Sequence, residues 1–179
     1  MRVSRAELAV LGIAAAAGIG FAMTACDDLP TTTVIRRIED PWALAQGAGL
    51  LPLIVRGRPA FASDQAVDDA VFRAATQAMT WTATPPLVQA TPGDEAAAMR
   101  VVYVFNGGGG DACAGAPAGG GPLPKGRVTL VAALCDGAQF VVRVDGRLGR
   151  SEGLEDSRLR RLISQATRDL LAPPPAPRP

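Results

Sequence analysis

Sixteen residues from Leu8 to Met23, LAVLGIAAAAGIGFAM, carry no charge, and they follow a short basic start made by Arg2 and Arg5. As a helix this run rises about 24 Å, short of the roughly 30 Å hydrocarbon core of a bilayer. A basic start, a short apolar run and then small residues is the layout of a secretory signal. The small residues here are Thr24 and Ala25, directly before Cys26. Such a layout removes residues 1–25 from the fold and delivers the rest to an oxidising compartment. Two alternatives stay open at this point: an uncleaved anchor helix, and cleavage by an ordinary signal peptidase, for which Met23 at −3 is a poor residue.

The segment Met23-Thr24-Ala25-Cys26 resembles the lipobox that ends the signal of bacterial lipoproteins. Thr24, Ala25 and Cys26 match the pattern, and Met23 stands where Leu is usual. The resemblance covers residues 1–26 only; the mature chain is not recognised as any characterised family. It implies that the Cys26 thiol takes a diacylglycerol, that cleavage frees the Cys26 amine, and that the amine is the place for a further acyl chain such as palmitate. Two or three chains, at about 0.8 kcal/mol per buried methylene, anchor a protein stably. The implied location is the cell envelope, facing the periplasm, with the inner or outer membrane undecided.

Removing residues 1–25 takes away Arg2, Arg5 and Glu7 and leaves 16 basic and 16 acidic residues. A neutral mature chain has no electrostatic footprint for nucleic acid. The chain has no histidine. That excludes Ser-His-Asp and Cys-His catalytic sets and His-ligated metal sites. Any catalysis would rest on carboxylates, Tyr103 or a thiol.

Residues 26–49 read as a tether, in which Val34, Ile35 and Ile38 allow a brief strand or turn contact and Trp42 and Leu44 pack on a domain edge. Residues 50–172 read as one domain, and 173–179, PPPAPRP, as an extended tail. Within the domain, Leu50–Val55 reads as a strand. Ser63 to Thr80 predicts a helix, capped by Ser63 and presenting Val67, Ala70, Val71, Ala74, Ala75, Ala78 and Met79 at the 3,4 spacing of one apolar face. Val101–Phe105, Arg127–Cys135 and Ala138–Asp145 read as strands, the last two joined by the hairpin pair Asp136-Gly137. A second helix is predicted from about Asp156 to Leu171. The expected fold is α+β: a small antiparallel sheet in the order β-α-β-β-β-α, with two helices packed on one face.

Asn106 to Lys125 holds eight glycines in 20 residues. No helix follows Gly107–Gly110, so the run reads as a connection and not as a phosphate loop. With Cys26 acylated, Cys113 and Cys135 are the only cysteines left, and an exported chain pairs them by default. A disulfide there stabilises the domain by roughly 3 kcal/mol in the chain-entropy model. Asp68 and Asp69 are adjacent on a helix, about 100° apart, and do not pair as acid and base. Arg56, Arg58, Arg143 and Arg147 would form a patch if their strands adjoin; solvated charges are the plainer reading. No cofactor and no metal site is expected. The functional expectation is a lipid-anchored, non-catalytic envelope protein acting through protein contacts, its oligomeric state open. The alternative is a small-ligand binding module with the loop 106–125 as a lid.

Overall fold

The computed structural model describes residues 29–107, 111–114 and 119–174. The signal segment, Cys26 and the end of the tail lie outside the described residues. Six strands form one sheet: β1 (Thr31–Arg36), β2 (Leu51–Arg56), β3 (Leu87–Gln89), β4 (Met99–Phe105), β5 (Val128–Asp136) and β6 (Gln139–Leu148). Three helices accompany it: α1 (Pro41–Ala48), α2 (Asp64–Ala78) and α3 (Ser157–Leu171). The fold is α+β.

The strands lie in the order β1-β6-β5-β4-β2-β3. β4, β5 and β6 form an antiparallel meander, with Asp136-Gly137 turning the β5–β6 hairpin. β2 is parallel to β4 and to β3. The sheet is therefore mixed and not antiparallel, and the element order carries β1, α1 and β3 in addition to the elements expected. The cause is α2. A 15-residue helix returns the chain along the length of β2, so the following strands start from the same end as β2 and run alongside it.

Residues 31–48, read as a tether, are part of this architecture. β1 pairs antiparallel with β6, Thr31 opposite Arg147 and Arg36 opposite Val142. Its Thr, Val and Ile residues favour the extended backbone. α1 starts at Asp40, whose carboxylate accepts from Ala43 N at 2.9 Å, with Pro41 in the first turn. Trp42 meets Trp81 edge to face, ring centroids 6.0 Å apart.

The larger core lies between one face of the sheet and the helices. Val101, Tyr103, Phe105, Leu130, Ala132, Leu134, Val142 and Val144 meet Val67, Val71 and Ala75 of α2 and Leu159, Leu162 and Ile163 of α3. Gly146 leaves room for Leu162: a Cβ there would stand 2.9 Å from Leu162 Cδ1. The one hydroxyl pair in this core is satisfied within it. Tyr103 Oη and Thr167 Oγ1 are 2.7 Å apart, and Thr167 Oγ1 donates to Ile163 O at 2.8 Å. The opposite face carries a smaller apolar cluster of Ile54, Val102, Val104, Ala133 and Cys135, covered by Ala112 and Cys113.

Candidate functional site

Two neighbouring features concentrate the polar and covalent ties of the molecule: the loop 106–121 on the sheet's second face, and the end of the sheet from which that loop departs.

The loop leaves β4 at Asn106, which adopts left-handed backbone with φ 52°, a conformation Asn tolerates better than most residues. The Asn106 side chain then ties three segments together. Its Nδ2 donates to Arg58 O at 2.9 Å and Gly121 O at 3.1 Å, and its Oδ1 accepts from Thr129 N at 2.9 Å. On the return, Gly120 N donates to Phe105 O at 3.0 Å and Arg58 N donates to Gly120 O at 2.8 Å. Gly57 and Gly119 meet backbone to backbone; a Cβ on Gly57 would stand 2.2 Å from Phe105 O. The loop's return is thus stitched into the sheet between the exits of β2 and β4.

Cys113 lies on the second face and is joined to Cys135 with Cα atoms 5.6 Å apart. The disulfide expected from the cysteine count is present. Cys113 thus lies beside the far end of β5, near Arg100 at the start of β4. Two arginines of the underlying strands hold the same segment. Arg100, 7% exposed, donates to Cys113 O at 2.9 Å and Ala97 O at 2.7 Å. Arg56 donates to Ala112 O at 3.3 Å and pairs with Glu95 at 3.0 Å. Asp111 accepts from Cys113 N at 3.0 Å, closing the turn. Sequence reasoning missed Arg56 and Arg100 as loop clamps. The available signal was that each is a charge within an otherwise apolar strand.

At the sheet end where β2 and β4 stop, three loops converge: residues 57–63, 119–127 and 149–156. They surround an open depression of about 610 Å³, lined largely by Pro59, Ala60, Phe61, Pro122, Leu123 and Leu154. Phe61 is 94% exposed. Lys125 and Gly126 on one side and Ser151 and Glu152 on the other complete it. A backbone bond holds two of the loops together, Ser151 N donating to Gly126 O at 2.7 Å. The third loop ends in Asp156, the cap of α3. Its carboxylate accepts from Arg158 N and Glu152 N, each at 2.8 Å, and pairs with Arg158 at 2.8 Å. The Arg158 guanidinium in particular holds this carboxyl ionised, down to about 2 from an ordinary 3.8.

The reactive groups singled out in the sequence are not gathered here. Tyr103 is fully buried with its hydroxyl on Thr167, and burial pushes its pKa above the ordinary 10. The thiols of Cys113 and Cys135 are consumed in the disulfide. The Asp68 carboxyl is raised by partial burial and then by the neighbouring Asp64 and Asp69 carboxylates of its own helix. Arg56 and Arg143 do not cluster, because β4 and β5 stand between β2 and β6, and Arg143 pairs with Asp145 of its own strand at 2.8 Å. Among the described residues, no group of three or more His, Cys, Asp or Glu is placed to hold a metal ion, and no helix is long and apolar enough to cross a membrane.

No protein family, curated protein or solved structure matches this chain.

Proposed function

We propose that the protein is a lipid-anchored component of a bacterial cell envelope, cut before Cys26, held by acyl chains on that residue and facing the periplasm. It acts through contacts with another envelope protein and not through catalysis. The observation that carries the reading is the N-terminal layout: Arg2 and Arg5, the uncharged run Leu8 to Met23, then Thr24-Ala25-Cys26. The buried Cys113–Cys135 disulfide supports it, since such bonds persist in oxidising compartments and are rare in a reducing cytosol.

The test is the intact mass of the full-length protein extracted with detergent from a bacterial host, with and without reductant. A species that begins at Cys26, carries acyl mass and gains two hydrogens on reduction is the expected result. Crosslinking in intact cells then identifies the envelope partner. A chain that retains Met1 and carries no lipid overturns the reading.

A further inference from the structure

The lipid-anchored reading leaves open how the domain stands on its membrane. The chain's entry point and the exposed loop tips share one end of the sheet. β1 begins at Thr31 opposite Arg147, one residue from the end of β6. β2 finishes at Arg56 beside Val104 of β4, at that same end. Cys26 precedes Thr31 by five residues, which reach at most about 18 Å when fully extended. Across the sheet, β1 and β2 are separated by β6, β5 and β4, a span of about 19 Å at the usual strand spacing. A bilayer is an extended surface, so an anchor within about 18 Å of Thr31 holds it against the whole end of the sheet, including the β2 side about 19 Å across where Phe61 stands.

The chemistry of this end suits a lipid surface. Phe61 is 94% exposed and Leu29 is 53% exposed, and Pro122, Leu123 and Pro124 stand beside Phe61 around the depression. Among the described residues, Lys125, Arg127 and Arg147 are exposed cations without an ion pair there. Arg58 is paired with Asp64, and Arg150 stands 4.0 Å from Glu152. An aromatic ring and apolar tips among unpaired cations is the pattern that enters the headgroup boundary of anionic membranes.

We infer that the loop end bearing Phe61, Leu123 and Lys125 seats on the surface of the bilayer that holds the anchor, so that the sheet stands on the membrane and its far end projects away. The inference rests on the lipid anchor. It names the bilayer as the occupant of this end and leaves the far end to the protein partner.

The experiment uses the full-length lipidated protein in vesicles of phosphatidylethanolamine and phosphatidylglycerol, with and without brominated chains. Phe61→Trp places a reporter at the proposed contact, and Leu50→Trp places one at the start of β2, where Leu50 is 68% exposed at the opposite end. The native Trp42 and Trp81 also lie at that opposite end, after β1 and α2 have crossed the sheet, and the unsubstituted protein gives their baseline. Phe61→Trp should lose about half of its added emission to the brominated lipid, because an interfacial ring sits roughly 5–10 Å into the headgroup boundary. Leu50→Trp should lose none. Protein that floats with the vesicles but shows no quenching at position 61, or equal quenching at 50 and 61, overturns the seating and leaves the anchor intact. Protein that does not float with the vesicles overturns the anchor, and the seating with it.

Discussion

Under α2 and α3 the sheet is closed by large apolar side chains, Leu159, Leu162 and Ile163 lying on Tyr103, Leu130 and Val144. On the other face the cover is a short piece of loop, Ala112 and Cys113, over Val102, Val104 and Ala133. The first cover is wide and rests mainly on apolar burial. The second contributes few methylene groups, and a glycine-rich segment loses much backbone entropy when it is ordered. It is held by other means: a disulfide to Cys135, guanidinium bonds from Arg100 and Arg56 to its carbonyls, and the Asn106 side chain at its root. The contrast teaches that, among the described residues, covalent and polar ties can hold a cover that contributes little apolar surface of its own.

The contrast is open to direct attack. Leu162→Ala removes a fully buried side chain from the helix-covered face and should cost about 2–5 kcal/mol. Thermal unfolding should shift down as a single transition while the disulfide stays formed. If Leu162→Ala costs less than removal of the disulfide, the two covers are ranked the wrong way round. Replacing both Cys113 and Cys135 by Ala frees a loop whose ends are 22 residues apart and should cost about 3 kcal/mol in the chain-entropy model. Its signature is local. Amide exchange should quicken around residues 111–114 and along β5, and remain slow in α2 and α3. Uniform acceleration across the molecule would show that the two faces are one cooperative unit.

The smallest effect is a pH dependence at the cap of α3. Asp156 holds its proton less tightly when folded, at about 2 against 3.8. The stability it contributes is therefore complete above about pH 4 and is lost as pH falls toward 2. Solvent at the loop screens the pair with Arg158, so the loss is about 1 kcal/mol. Denaturant midpoints measured between pH 5 and pH 2 should fall less for Asp156→Asn than for the native protein. Equal slopes would remove Arg158–Asp156 from the account of how the helix cover is held.

Much of the helix-covered face was legible in the sequence. Ser63 caps α2 through Ala66 N at 3.3 Å, and Val67, Val71, Ala74, Ala75 and Ala78 are buried along it. Leu159, Leu162, Ile163, Ala166 and Leu170 do the same for α3, and Asp136-Gly137 marks the hairpin. What escaped lacks such local signals. β1 is exposed over most of its length, so no alternation marks it, and its partner β6 lies at the other end of the chain. β3 is three residues beside Pro85-Pro86. α1 is eight residues with only Pro41 and Ala45 buried; its Asp-Pro start was the available clue. The parallel pairing of β2 with β4 is written in the helix between them, as strand, helix, strand, a signal that outweighs the hairpins of the later strands. Of the candidate site, the disulfide followed from cysteine count, whereas the convergence of Phe61, Leu123 and Leu154 depends on loops brought together only by the finished sheet.

The pairing of β1 with β6 also has a meaning in time. Thr32 Oγ1 donates to Asp169, 137 residues away, and Arg36 reaches the carbonyl of the same residue. A chain delivered from its N-terminus presents β1 first and can pair it only when nearly everything else has arrived. Contacts of such sequence separation form slowly because the chain between them must first be closed into a loop. The edge strand is thus a late latch: although made first, it closes only after β6 and α3 exist, and it ties the sheet's edge to the last helix.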